Sequence, residues 1–411
     1  MRFNYAVFSL AMLALAGCGG SSGGSGSVSD VCNDLTSAEF SCDTMLTDLV
    51  AEGVIPVVED FETNLALLDT SVGDYCADIS NSTKLEAAES AWVSVMAPLQ
   101  QLNVMGFGPN ADLENGLTSF YDWETANPIN IDIAIAKSAL FAEIDLPASD
   151  NEKDLVAIEY ILFAPSVIQT DGESANENSN VKTWREQNTG ENEVQQDRCD
   201  YAKLITADMV NRVATLKTSW QQFDLASVSS SKQVAANEVA QALFYVDTKT
   251  KDLKIKALLP QVDQDNDDAE TFNASKVESQ FAHISKEHII ENLKGLRVIY
   301  TANGNMGLDD YLVAAGQDQI ATDMLSTLNA AITNAEAIND SLFNAVTNAT
   351  DADTCFTITS TGLYDVDTES SDIDTLCALQ ENTKNFTDVL KFEMIPATSF
   401  TAPASADGDN D

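Results

Sequence analysis

One acidic residue stands alone in a strongly apolar segment of the chain. Glu159 is the only charged side chain between Leu155 and Phe163. A helix that is apolar on nearly every face is buried, so this carboxyl is expected in a low dielectric. A buried carboxylate needs a hydrogen-bond donor, a cation or a proton. Glu159 is therefore a candidate metal ligand or binding-site acid. The alternative is a structural carboxylate held by an Arg, Trp or Tyr of another helix.

The only two histidines, His283 and His288, fall in one short segment. His288 and Glu291 have the spacing that places two side chains on one face of a helix. A divalent metal accepts an imidazole and a carboxylate but needs one or two further ligands. Glu159, His283, His288 and Glu291 are therefore the candidate ligands of a divalent metal. The alternative for the histidines is a surface or hydrogen-bonded role.

An acidic stretch offers a second place for a cation. Asp263–Asp268 begins like a calcium-binding EF-hand loop, but Asp268 replaces the required glycine and Ala274 stands where the bidentate glutamate belongs. The stretch is thus a loose calcium site or a solvated acidic loop, and the metal predicted for this chain is iron or calcium. The sequence has no serine-nucleophile elbow, phosphate-binding glycine loop or dinucleotide fingerprint, so no catalytic residue is predicted.

The N-terminus has the pattern of a lipoprotein signal. Arg2 precedes an apolar run over residues 5–16, and Leu15-Ala16-Gly17-Cys18 has small residues before a cysteine. We expect a signal peptide over residues 1–17, a lipid on Cys18 and a flexible Gly/Ser tether over residues 18–29. Gly, not Asp, follows Cys18, so nothing marks the protein for inner-membrane retention. The predicted location is the cell envelope of a Gram-negative bacterium, lipid-anchored in the outer membrane, on its periplasmic or surface face.

The charge of the chain excludes one class of partner. There are 65 acidic residues against 21 Lys and Arg, for a net charge of −44. Such a field repels nucleic acid and attracts cations, basic peptides and metal ions. Nucleic acid is therefore not expected as a partner. The charge is equally explained by solubility or by adaptation to salty water.

The cysteines fit an oxidising compartment. If Cys18 carries lipid, six others remain, and an even number outside the cytoplasm predicts disulfides. Sequence alone does not choose the pairing. Proximity in the sequence favours Cys32–Cys42 and Cys355–Cys377. Cys76 and Cys199 are then left to pair with each other.

Hydrophobic periodicity predicts a chain built almost entirely of helices. Helices are predicted at 57–75, 83–102, 129–142, 154–163, 192–223, 232–259, 287–301, 308–348 (with an interruption) and 373–392. Loops are predicted at 165–190 and 262–273, and the four tryptophans are expected to pack in cores. The predicted fold class is all-α, with one helical bundle over residues 30–188, a second over residues 189–400 and an acidic tail over residues 401–411.

Several segments resemble the imelysin-like proteins, the peptidase M75 group. Each segment is short, but their order and spacing over most of residues 45–410 make the set fairly specific. The segments are Asp154–Phe163, Arg198–Ala202, Glu278–His283, Glu291–Leu296, Gly307–Leu312, Ile395–Phe400 and Asp407–Asp409.

The resemblance implies two helical bundles and an extracytoplasmic, often lipid-anchored protein. The family's Gly-x-His-x-x-Glu motif, thought to bind metal, falls on Asp154, Val156 and Glu159, so its glycine and histidine are missing here. That departure argues against metallopeptidase activity through this motif. The family also includes iron-regulated and iron-uptake-associated members, which implies an outer-membrane receptor or an iron-uptake protein as partner.

Three functions follow from these observations. The first is a lipid-anchored, non-catalytic binding or accessory protein associated with iron acquisition. The second is a metallopeptidase with rearranged ligands, using Glu159 with His283 or His288. The third is a purely structural surface lipoprotein, which would have neither a metal nor a link to iron.

Overall fold

The computed structural model describes most of the chain after the N-terminal segment. The described residues are 32, 40–111, 120–141, 146, 152–164, 178–188, 190–228, 230–260, 272–349, 371–404 and 406. The predicted signal peptide, Cys18, the tether and the acidic stretch Asp263–Asp268 lie outside the described residues. So does the end of the predicted tail, 407–411.

The described residues form helices and no β-strand, which confirms the all-α fold. None of these helices is both long enough and apolar enough to cross a bilayer. The α-helices are α1 (Cys42–Asp48), α2 (Ile55–Cys76), α3 (Ser82–Asn103), α4 (Pro128–Phe141), α5 (Leu155–Phe163), α6 (Ser179–Gln187), α7 (Glu191–Gln222), α8 (Leu225–Val228), α9 (Lys232–Ala242), α10 (Ser285–Thr301), α11 (Leu308–Ala314), α12 (Asp318–Ala337), α13 (Leu342–Asn348), α14 (Asp372–Asp388) and α15 (Ile395–Ala397). Wider π-helical turns occupy Leu49–Val54, Val246–Ile255 and Val389–Met394, and 3₁₀ turns occupy Gly108–Ala111, Lys256–Leu258, Ala274–Lys276 and Ala302–Gly304.

The loop predicted over residues 165–190 is wrong at its C-terminal end. Helix α6 forms there because the Asn178 side chain accepts a hydrogen bond from the amide of Asn180 and caps the first turn. Val181 and Trp184 supply a buried apolar stripe three residues apart. The residues around this short stripe are polar, so the hydrophobic periodicity was too weak to predict a helix. The helix predicted over 232–259 is interrupted by the π-helical segment Val246–Ile255. The interruption predicted within 308–348 is present, since α11, α12 and α13 are separate helices.

The long helices pack in two sets that meet across one contact. Helix α2 packs against α3 and α7, while α12 packs against α14 and α10. Helix α10 also packs against α3 and so joins the sets. Helix α7 thus contacts helices that precede the predicted boundary at residues 188 and 189. The division of the chain at that boundary stays a prediction.

Disulfides tie the helix ends together. The structure contains Cys32–Cys42 and Cys76–Cys199, two of the three bridges that the sequence favoured. Cys377 is also disulfide-bonded. Its predicted partner, Cys355, lies outside the described residues.

The contact between α3 and α10 depends on a glycine. A Cβ at Gly295 would lie 2.5 Å from the carbonyl oxygen of Gln101 and 2.6 Å from its Cα, and backbone atoms cannot rotate away as a side chain can. We expect Gly295→Ala to force the helices apart and to lower the free energy of unfolding by about 1–3 kcal/mol or more. Denaturant unfolding followed by circular dichroism measures this.

Gly73 provides the matched control. It lies within α2, and a Cβ there would meet no atom within 4 Å. Gly73→Ala should raise the free energy of unfolding by about 0.5–1 kcal/mol, because alanine is the better helix former. Two changes of the same sign would contradict the close-approach explanation for Gly295.

Candidate functional site

The site is built around α5, which is buried from Leu155 to Leu162. Asp154 caps its N-terminus: one carboxylate oxygen accepts from the amides of Val156 (2.9 Å) and Ala157 (3.2 Å), and the other from the amide of Asp122 (2.7 Å). Burial nevertheless raises the pKa of Asp154 to about 7. The residue at the family's glycine position therefore serves as the helix cap.

Arg198 holds the other end of α5. Its side chain is buried, and Nη2 donates to the carbonyl oxygens of Tyr160 (2.9 Å), Ile161 (3.1 Å) and Ala164 (3.3 Å). The Tyr160 carbonyl also accepts a hydrogen bond from the amide of Ala164. A cation at the C-terminal end of a helix interacts favourably with the helix dipole. Both ends of α5 are thus fixed by buried charged side chains, so the helix presents Glu159 in one position.

Glu159 accepts three hydrogen bonds on a single oxygen. Ser279 Oγ donates to Oε1 at 2.8 Å, and the amides of Phe281 and Ala282 donate at 3.1 and 3.0 Å. The segment that supplies them turns sharply, with Ser279 and His283 in left-handed backbone conformations (φ 55° and 58°). Non-glycine residues adopt this conformation at some expense, and such strain clusters at binding and catalytic sites.

Burial raises the pKa of Glu159, and the three hydrogen bonds and the charge of His288 oppose this rise without cancelling it. The donors are a hydroxyl and two amides, which are neutral. Glu159 is thus a buried carboxylate held by neutral donors, and these donors are not the Arg, Trp or Tyr that the structural alternative named. They belong to an irregular segment between helices.

A cavity of about 370 Å³ lies beside Glu159 and the segment that holds it. Val156 and Glu159, the second and third positions of the family motif, both line it. The valine presents methyl groups where the motif has an imidazole. The other lining residues are mainly apolar or aromatic: Trp123, Ala126, Pro128, Ile131, Val277, Ser279, Gln280, Phe281 and Phe343. Trp123 lines the cavity and also packs against the core, while Trp92, Trp184 and Trp220 are fully buried in the core as expected.

A second buried carboxylate, Glu278, lies next to Ser279 in the chain and organises a polar network. Lys254 Nζ lies 2.9 Å from its Oε2, and His288 Nδ1 lies 3.2 Å from its Oε1. Lys254 also donates to Gln100 Oε1 and Asn292 Oδ1, both at 2.8 Å, and Gln100 Nε2 donates back to Glu278 at 3.1 Å. Burial raises the pKa of Glu278, but the charges of Lys254 and His288 outweigh it and lower the pKa to about 2.

Two polar groups beside this network lack a hydrogen-bond partner among the described residues. These are the hydroxyl of Tyr121 and Nε2 of His288, and both are buried. The two rings meet edge to face, with centroids 5.7 Å apart. Burial raises the pKa of Tyr121 well above its ordinary value, and the negative charges of Glu278 and Glu159 raise it further. Tyr121 therefore remains a neutral phenol between the two carboxylates.

The four predicted metal ligands do not come together in the structure. His288 is directed to Glu278, and His283 stacks on Phe343 with ring centroids 4.1 Å apart. Glu291 accepts from Gln101 (2.5 Å) and Lys294 (3.0 Å), because its helix face packs against α3. The described part of the chain contains no group of three or more His, Cys, Asp or Glu side chains that could hold a metal ion. The donor set beside Glu159 therefore does not fit a metal.

Sequence reasoning missed most of the polar residues around Glu159. Lys254 and Gln100 lie on helices whose polar positions are indistinguishable from solvent-facing ones. Glu278 and Ser279 could have been suspected from the sequence, since they begin Glu278–His283, one of the segments that resemble the family. Tyr121 carried no signal in the sequence.

Replacing Glu159 distinguishes its hydrogen bonds from its charge. Glu159→Ala leaves three buried donors unpaired and should lower the free energy of unfolding by about 2–3 kcal/mol. Glu159→Gln keeps an acceptor oxygen and should change it by less than about 1 kcal/mol at pH 7. Urea unfolding of both variants at one pH measures the difference. Equal losses would mean that the charge, not the accepted bonds, supports the segment.

The pH dependence of the same variants has a definite sign. Because the folded-state pKa is raised above the unfolded value of 4.5, the folded state binds the proton more tightly. In the wild type, the contribution of this pKa shift to the free energy of unfolding is fully present below pH 4.5 and is lost as pH rises through the raised pKa. Glu159→Gln should remove this decline.

A model of the imelysin family, Peptidase_M75, matches residues 54–363. No curated protein matches the chain.

Two solved structures share the architecture. A protein named "putative iron-regulated protein A precursor", from Parabacteroides distasonis, superposes with a TM-score of 0.57 at 18% identity, over 87% of this chain and 96% of its own. An imelysin-like protein from Psychrobacter arcticum superposes with a TM-score of 0.58 at 14% identity, over 90% of this chain and 100% of its own. At these identities the likeness concerns the fold alone.

Proposed function

This chain belongs to the imelysin family, and from that membership we propose that it is a lipid-anchored, extracytoplasmic binding protein without peptidase activity. We propose further that it takes part in iron acquisition. The observation that carries the proposal is the cavity beside α5, where Val156 and Glu159 of the family motif face an apolar space. A site of this form binds a ligand and has few groups that could act on one.

The chemistry of the motif positions supports binding over hydrolysis. A valine has no atom that can ligate a metal or move a proton, and one oxygen of Glu159 is occupied by three donors. His288 is the imidazole nearest the network, but its ring is buried and directed to Glu278. The metallopeptidase with rearranged ligands would need Glu159 and a histidine on one metal, and the geometry offers no such set.

The link to iron rests on the name of a structural relative and on the charge of this chain. One structural relative carries the name of an iron-regulated protein, and that name describes the relative. The strongly negative charge of this chain is compatible with attraction of cations. An outer-membrane receptor or another iron-uptake protein is the proposed partner, and iron is its proposed cargo, not a resident cofactor.

Lipid anchoring and the iron link are tested in one set of strains. A deletion strain grown under iron limitation should grow more slowly than wild type, and the wild-type gene should restore growth. Cys18→Ser should release the protein from the membrane fraction and restore growth less well. If neither growth of the deletion strain nor expression of the gene changed under iron limitation, the iron link would be refuted. Unchanged fractionation of Cys18→Ser would refute the anchor.

The absence of peptidase activity is tested separately with purified protein. Incubation with a denatured protein substrate, with and without EDTA, should give no cleavage. Chelator-sensitive cleavage that is lost in Glu159→Gln would favour the metallopeptidase instead.

A further inference from the structure

The cavity beside Glu159 combines aromatic walls with one ionisable group. The rings of Trp123, Phe281 and Phe343 line it together with aliphatic side chains, and Glu159 is the only charged side chain among the described lining residues. A volume of about 370 Å³ lies within the range of small-molecule sites. An apolar cavity with a single fixed polar group selects a ligand that is apolar except at one point.

The free oxygen of Glu159 defines that point. All three donors converge on Oε1, and no described residue donates to Oε2. No lysine or arginine in the described part of the chain forms an ion pair with Glu159. The nearby cation Lys254 is held by Glu278, Gln100 and Asn292. The carboxylate is thus positioned by neutral donors and has one acceptor left for a ligand.

We propose that this cavity binds a cationic amphiphile, an amine or related nitrogen cation attached to an apolar, ring-sized body. The ligand's N–H group donates to Oε2 of Glu159, and its apolar body packs against the aromatic walls. A bond between a cation and a carboxylate is stronger than one between neutral groups. Aromatic faces also attract cations, and the net charge of −44 raises their local concentration. The proposal rests on the proposed function, because it names the ligand class of the same cavity.

Three probes test the proposal by calorimetric titration of the purified full-length protein. Tryptamine carries an ammonium, tryptophol replaces it with a neutral hydroxyl, and 3-ethylindole has neither. We expect tryptamine to bind at least about tenfold more tightly than tryptophol. In Glu159→Gln the two should bind within about twofold of each other. Val156→Trp, which fills the cavity, should weaken all three.

The outcomes separate this proposal from the proposed function. Equal affinity for the three probes, lost in Val156→Trp, would refute the cationic ligand but leave the cavity as a binding site. Binding of none of them would refute the cationic amphiphile, whereas the proposed function would still be decided by the growth and fractionation tests. A preference for tryptamine that persists in Glu159→Gln would assign recognition to another residue. If Glu159→Gln does not fold, the wild-type comparison of tryptamine with tryptophol still decides the ligand class.

Discussion

Lys254→Met is expected to lower the free energy of unfolding by about 3–5 kcal/mol. The ammonium of Lys254 is buried and lies 2.9 Å from Glu278, which is buried as well. Methionine fills a similar volume but leaves the carboxylate without its main cation in a low dielectric. It also leaves the side-chain oxygens of Gln100 and Asn292 without the donor that now joins them. Denaturant unfolding at pH 7 measures the loss.

A double variant separates the stranded charge from lost packing. Glu278→Gln in the Lys254→Met background removes the uncompensated charge and should recover most of the lost stability, because a neutral pair can replace a buried ion pair at little expense. Recovery of less than about 1 kcal/mol would show that the packing of the lysine chain, not its charge, holds this region.

Acid should reveal the same effect. In the wild type the pKa of Glu278 is lowered to about 2, so its contribution is present above the unfolded value of 4.5 and is lost as pH falls through about 2. Without Lys254 the pKa should rise, since burial remains and the compensating charge is gone. The deficit of Lys254→Met should therefore be smaller at pH 4.5 than at pH 7. A deficit independent of pH would contradict this account.

The helices were predictable because their apolar spacing is regular. The predicted helix over residues 57–75 is Ile55–Cys76, and that over 83–102 is Ser82–Asn103. The burial of Lys254 was not predictable, because a lysine in a helical pattern indicates a solvent-facing position. The segment Val246–Ile255 is π-helical, and its wider turn breaks the register on which the periodicity argument depends.

The burial of Glu159 was predictable from its apolar neighbours, but its partners were not. The donors come from Ser279, Phe281 and Ala282, about 120 residues away in the chain. Every residue except proline has an amide, so sequence cannot say which amides will converge on an oxygen. Only the backbone turn at Ser279 and His283 directs them. The sequence therefore predicts the buried acidic residue of the site but not the segment that donates hydrogen bonds to it.

Removing the Cys76–Cys199 disulfide should lower the free energy of unfolding by about 5 kcal/mol in the chain-entropy model. The bridge spans 123 residues and joins the end of α2 to the first turns of α7. Closing so long a loop restricts the unfolded chain strongly, whereas the folded helices are already in contact. Double replacement by alanine, with unfolding in denaturant under non-reducing conditions, measures the loss.

The Cys32–Cys42 bridge is the matched control, because it spans only ten residues. The same model gives about 3 kcal/mol for its removal, so the two double-alanine variants should differ by about 2 kcal/mol. Both pairs lose two sulfur atoms, which makes the loop length the main difference between them. Equal losses would mean that local packing outweighs the entropy of the unfolded chain. A larger loss for Cys76–Cys199 supports that bridge as the covalent link between α2 and α7, two helices that pack against each other.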